Sequence, residues 1–260
     1  MKRHIIIAAI LAAFSFTGML AQQNRTQAIA NAALKGWEME LRLGYNLGGT
    51  SPLPLPEEIR SIDSYNPTLG LALEANFTKW FGSEGRWGLV LGAKLENKNM
   101  ETKATVKNYS MEIFGDNGER VAGNWTGGVQ TSVKNAFLTF PVTAAYRVHP
   151  RTSLKFGVFL SYLMSGKFDG YVYDGYLRQG DPTGLKAVYE GDNRASYDFS
   201  DNLRRFQWGL QIGADWMALN HLKVFGDLSW GLNGAFKSDF HTITFSMYPI
   251  YLTAGAAYLF

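Results

Sequence analysis

The side chains able to do chemistry in this 260-residue chain recur at every second position of apolar segments. Glu38, Glu40 and Arg42 share one parity, Glu74 follows, and Lys94, Glu96 and Lys98 continue it after Trp87. Arg147, Lys155, Arg205, Asp215, Lys223 and Asp227 complete a set of six acids and seven bases. Charges withdrawn from water are tolerable only when paired or hydrated. A set this close to balance predicts an ion-pair network, whereas a solute channel would show one dominant sign. Nucleophilic catalysis has thin support. His149 and His221 fall in short turns, and His241, with Ser238, Asp239 and Ser246 nearby, reads as polar loop surface, because a triad is defined by geometry and not by proximity in sequence. Asp116-Asn117-Gly118-Glu119 has oxygen ligands but not the spacing of a calcium loop, and reads as a hairpin turn. The chain has no cysteine, phosphate loop, dinucleotide fingerprint or His-based zinc motif, so no catalytic residue, cofactor or metal is assigned. A net charge of +3 argues against a nucleic-acid partner.

The elements that position these charges are strands. In Trp37–Leu47 every odd residue is large and apolar and every even one is charged, Gly or Asn, the period of a strand with two unlike faces. The pattern returns at Leu69–Phe77, Trp87–Leu95, Leu138–Val148, Leu154–Met164, Phe206–Trp216, Leu222–Leu232 and Tyr248–Phe260, which makes eight strands. Short turns at Gly82–Gly85, His149–Thr152 and Asn220-His221 alternate with long polar loops at Thr50–Asn66, Glu101–Ser132, Asp169–Asn202 and Lys237–Phe245. An eight-stranded antiparallel up-and-down β-barrel with its long loops at one end is the simplest fit. Pro141 and Pro249 share the charged parity and, lacking a ladder N–H, predict bulges.

Alternation alone leaves two barrels open, a soluble lipocalin-like one with the apolar face inside and a transmembrane one with it outside. Three features favour the second. An eight-stranded barrel is too narrow to hold so many large apolar side chains. The opposite face is rich in glycine, including Gly44, Gly88, Gly92, Gly157, Gly209 and Gly213, which suits a crowded lumen. Aromatics gather in two girdles, with Trp37, Trp87, Tyr146, Trp216 and Tyr258 near the short turns and Tyr45, Tyr162, Trp208, Trp230 and Tyr248 toward the long loops. The strands also outrun the ~9–11 residues needed to cross a bilayer, so some should project beyond it.

Residues 1–21 carry Lys2 and Arg3, an apolar run and Ala21, the layout of a cleaved secretory signal peptide. Removing them takes away two bases and no acid, so +3 becomes +1. Residues 22–36 are expected to be a periplasmic segment and 37–260 the barrel. In Thr50–Asp63, alternating prolines favour an extended segment, Pro56-Glu57-Glu58 can start a helical turn, and Ile59 and Ile62 would tuck against the barrel mouth as a cap.

Gly44-Tyr45-Asn46-Leu47-Gly48-Gly49-Thr50, the Pro-Leu-Pro-Leu-Pro run, Tyr65-Asn66-Pro67, Phe140-Pro141 and Ser161–Lys167 resemble the PorT-like outer-membrane β-barrel proteins of Bacteroidetes. The resemblance spans the mature chain and implies an outer-membrane protein with type IX secretion as its setting. Phe260 resembles the terminal signal read by the barrel assembly machinery. The expected role is structural, loop-binding or secretion-accessory, and non-enzymatic. The expected partners are outer-membrane lipid and lipopolysaccharide, the assembly machinery, and a secretion-system or extracellular partner at the loops. The alternatives are a small-solute porin and a lipid-modifying enzyme.

Overall fold

The computed structural model describes residues 36–260 except 83, 116, 117 and 182. The expected leader, and all but the last residue of the segment after it, lie outside the described residues. Period-2 alternation yields eleven strands: β1 (Trp37–Pro52), β2 (Ile59–Asn66), β3 (Leu71–Phe81), β4 (Trp87–Phe114), β5 (Arg120–His149), β6 (Thr152–Gln179), β7 (Lys186–Tyr189), β8 (Ala195–Asp198), β9 (Phe206–Leu219), β10 (Leu222–Gly231) and β11 (Met247–Leu259). Eight of them close a ring in the order β1, β3, β4, β5, β6, β9, β10, β11 and back to β1. Antiparallel ladders join β3 through β11 along the ring, β1 is hydrogen-bonded to β3, and the last strand zips antiparallel onto the first from Glu40↔Leu259 to Pro52↔Met247. These are the eight strands the alternation predicts. The other three lie off the ring, β2 on β4, and β7 and β8 on β6.

The faces of the ring are unambiguous. Arg42 is 1% exposed while its neighbour Leu43 is 60% exposed. Polar side chains fill the interior and a band of Leu, Phe, Ile and Trp covers the exterior, so the lipocalin-like arrangement is excluded.

The segments expected as long polar loops at Glu101–Ser132 and Asp169–Asn202 are mostly strand. β4, β5 and β6 run for 28, 30 and 28 residues. The cause is an inversion of polarity along one face. On β4 the inward parity reads Lys94, Glu96, Lys98 and then Met100, Thr102, Ala104, Val106, while the outward parity changes from Leu91 and Leu95 to Asn97, Asn99, Lys103 and Lys107. Beyond the inversion the ladders enclose a conventional apolar core built on Met100, Met111, Trp125, Val133, Phe168 and Val172. Below it, the interior is polar.

The proline expectations also need correction. β5 and β11 keep register through Pro141 and Pro249. Each pyrrolidine ring lies over a glycine of the next strand, where an added Cβ would come within 2.7 Å of Pro141 at Gly92 and 2.6 Å of Pro249 at Gly231. Missing side chains, not bulges, make the room. In the Pro-rich segment the residues after Pro56 form a turn and then strand β2, not a helix; Ile59 packs on the apolar core and Ile62 stays exposed.

Candidate functional site

The inward positions of five ring strands (β1, β3, β6, β9 and β10) converge on Arg42, which β1 projects into the lumen. Its guanidinium donates to Glu74 on β3 at 3.1 Å, to Asp227 on β10 at 2.8 Å and to Asp215 on β9 at 3.0 Å, and its Nε lies 3.6 Å from Glu40. The Phe225 ring covers its flat face at 3.6 Å, a stacking that guanidinium tolerates well. Lys155 on β6 reaches Asp215 at 2.9 Å and Asp227 at 3.1 Å, and Lys223 donates to Glu40 at 2.8 Å. Asn76 adds a bond to Glu40 at 3.1 Å. Gly213 stands against the Asp227 carboxylate, and any side chain there would displace it.

A second cluster sits nearer the long-strand end. Glu96 accepts from Lys94 and Lys98, each at 3.0 Å, and from Thr139 at 2.7 Å and Asn46 at 3.2 Å. Lys98 is 2% exposed and faces the Phe137, Phe159 and Tyr251 rings at 5.2–5.6 Å. It is the last charge before the apolar core begins. Five buried acids (Glu40, Glu74, Glu96, Asp215, Asp227) thus face five buried bases (Arg42, Lys94, Lys98, Lys155, Lys223). Every one of them touches an opposite charge, and together they fill the lumen.

Three residues of the sequence-derived set stand apart. Arg147 and Glu38 pair at 2.7 Å at the short-turn end, half-exposed, with Arg147 stacked 3.7 Å over Trp80. Arg205 keeps the lumen parity but precedes β9, is exposed, and joins none of these contacts. Parity extrapolated past a strand's first residue has no physical meaning, and that places Arg205 at the rim.

The aromatics named for the girdles lie on the outward parity of their strands. Trp87 and Tyr146 pair across β4–β5 with rings 4.6 Å apart, and Trp216 and Tyr258 are exposed at the same end. Tyr162, Trp208 and Trp230 are exposed toward the long-strand end, and Tyr45 and Tyr248 are half-buried there. Trp37, also half-buried, opens β1. Phe260 follows β11, is 72% exposed, and donates its N–H to Met39 at 3.0 Å, so the last residue registers on the first strand. His241 is exposed in the loop before β11. Among the described residues no group of three or more His, Asp or Glu is placed to hold a metal ion.

Sequence reasoning missed a chamber of about 580 Å³ above the charge clusters. Met100, Met111, Val129, Phe168, Tyr197 and Phe245 contribute to its wall, and among the described residues no charged side chain does. Burial pushes the Tyr109 and Tyr197 phenols well above their ordinary range, as expected where water is excluded. The signal that would have revealed it is the switch from Lys98 to Met100 on a single face.

The outer membrane protein beta-barrel domain family matches residues 20–237. No curated protein matches the chain. Among solved structures, the chain is similar to Ail, the attachment invasion locus protein of Yersinia pestis, at 11% identity over 86% of this chain and 97% of that one, with a TM-score of 0.34. The outer membrane protein OprG from Pseudomonas aeruginosa shares 13% identity over 86% of this chain and 95% of its own, with a TM-score of 0.29. The outer membrane protease OmpT from Escherichia coli shares 14% identity over 86% and 96%, with a TM-score of 0.34.

Proposed function

The chain belongs to the outer membrane protein beta-barrel domain family, and from that premise we propose that it is a closed, non-conducting barrel that holds a β-sheet extension at the cell surface for a binding or secretion-accessory role. The observation that carries this reading is the filled lumen. Opening a water path would require separating Arg42 from Glu74, Asp215 and Asp227 at once, in a space with little water to take up the freed charges. The ring strands are long enough to cross a hydrocarbon core, which takes about 9–11 residues per tilted strand, and the two aromatic girdles fit its two interfaces. With the barrel closed, the surface left to meet a partner is the extension formed by the upper β4, β5 and β6 with β2, β7 and β8.

The resemblance of its Gly- and Pro-rich segments to PorT-like proteins of Bacteroidetes makes type IX secretion the first system in which to seek that partner. Export by a cleaved leader, insertion by the assembly machinery through Phe260, and contact with lipopolysaccharide belong to the same reading. Planar-bilayer recording tests it. The purified barrel should give no stable openings, and Arg42→Ala should introduce them. Steady conductance in the unaltered protein would favour the porin reading instead. Cross-linking from the extension in intact outer membranes, followed by mass spectrometry, would identify the partner.

A further inference from the structure

The ring of strands does not close all the way up. On the side of β1 that faces β3, the last link is the Asn46 N–H to the Gly70 carbonyl at 2.7 Å, since β3 begins only at Leu71. From Gly48 to Pro52 that edge of β1 has no strand partner among the described residues, although the other edge stays zipped to β11. What it meets is side chains. The Tyr65 hydroxyl donates to the Gly48 carbonyl at 2.7 Å and lies 3.1 Å from the Gly48 N–H, and the Thr50 N–H points at the Met100 sulfur at 3.4 Å, a weak acceptor. Across the gap, β2 pairs with β4, and among the described residues no strand lies on its second edge. Two unpaired strand edges facing each other form a slot in the wall.

The slot opens into the apolar chamber. Its wall also includes Leu47 and Leu252, cross-strand partners 40% and 42% exposed on the outer apolar band. One apolar surface therefore runs from the outside of the barrel, between β1 and β2, into the interior. A volume of about 580 Å³ is in the range of small-molecule sites, roughly 300–1,000 Å³. A lining without charge gives no anchor to a headgroup, and apolar cavities of this kind stay dry or take apolar guests. Met100, Met111 and Met247 supply adaptable contact without fixing one ligand shape.

We infer that this chamber is a binding site for a linear acyl chain that enters sideways from the bilayer through the slot between β1 and β2, its polar head remaining outside. The inference rests on the membrane placement proposed above, and the test separates the two. The protein is reconstituted in phosphatidylethanolamine vesicles containing a phospholipid with a diazirine at the end of one acyl chain. It is irradiated, and the adducts are mapped by mass spectrometry. A parallel arm uses a diazirine free fatty acid, which tells a lipid-borne chain from a free one. The expected result is adducts on Met100, Met111 and Phe245 as well as on the belt residues Leu43, Leu91 and Phe156, which lie outside the chamber wall. Excess unlabelled oleic acid should lower the chamber adducts at least several-fold and leave the belt adducts unchanged. Ala104→Trp, which fills the chamber, should do the same. Adducts on the belt alone, with either probe, overturn the site. No adducts on the belt overturn the membrane placement itself. The competition arm uses the unaltered protein, so the result does not depend on whether Ala104→Trp folds.

Discussion

Arg42 and Asp227, 185 residues apart in the chain, meet at 2.8 Å in the centre of the lumen. The bond spans from β1 past β11 to β10, so it forms only once the last strands have come round to the first. It therefore reports ring closure as well as local electrostatics.

Asp227→Ala should destabilise the barrel strongly. Removing one member of a buried pair costs roughly 3–5 kcal/mol, because the remaining charge is left without compensation. Urea unfolding from vesicles, followed by tryptophan fluorescence, should show a lowered midpoint. Glu38→Ala, at the half-exposed pair with Arg147, should cost no more than about 1 kcal/mol by the same measurement.

The inversion of polarity can be tested on two outward positions of adjacent strands. Leu91→Arg places a charge in the middle of the apolar band and should cost about 2–4 kcal/mol in a bilayer. Ser132→Arg, outward on β5 beyond the inversion, should change stability by no more than about 0.5 kcal/mol. A similar cost at both sites would mean that the band does not end at Asn97 and Asn99.

Trp125 is fully buried in the apolar core of the extension, with its indole N–H on the Gly128 carbonyl at 3.2 Å. Trp125→Ala should cost about 3–5 kcal/mol there and leave the charged lumen intact. Trypsin should then cut at Lys103 and Lys107, while the heat-modifiable gel mobility of a folded barrel persists.

Strand β2 is pinned to β4 by the Asp63 carboxylate, which accepts from Ser61 at 2.6 Å and Thr105 at 2.8 Å. These two bonds hold the Asp63 carboxyl below its ordinary range. A group whose folded pKa is depressed contributes stability above its unfolded value and loses it as pH falls through the folded one. A spin label at Ile62→Cys should be ordered at neutral pH and gain mobility only below the usual carboxylate range. With Asp63→Asn it should be more mobile at all pH values.

Much of the barrel was legible because lipid outside and charge inside force strict alternation, as in Glu38–Leu43 and Trp87–Leu95. The extension was not, because its outward residues Asn99, Lys103, Lys107 and Lys134 look like those of a solvated loop. Their inward partners Thr102 and Ala104 are too small to mark a core by themselves. Only pairing across β4 and β5, which sets Met100 beside Val133 and Ala104 beside Val129, makes that core visible. The lumen charges were readable from parity wherever a strand continued, and Arg205 marks where parity stopped applying. The slot beside Gly48 depends on where β3 begins, a matter of register that no local pattern encodes.

The length of β5 has a mechanical consequence. At about 3.3 Å per residue, its 30 residues run for roughly 100 Å from the hairpin tip to the short turns. A pull on that tip loads the β4–β5 ladder along its strands, so the rungs share the force instead of parting one at a time. The one register shift in that ladder among the described residues, between Val106 and Tyr109, is where it would yield first. Below that point the ladder holds one register into the barrel wall, so a partner tugging at the tip would be pulling on the membrane anchor itself.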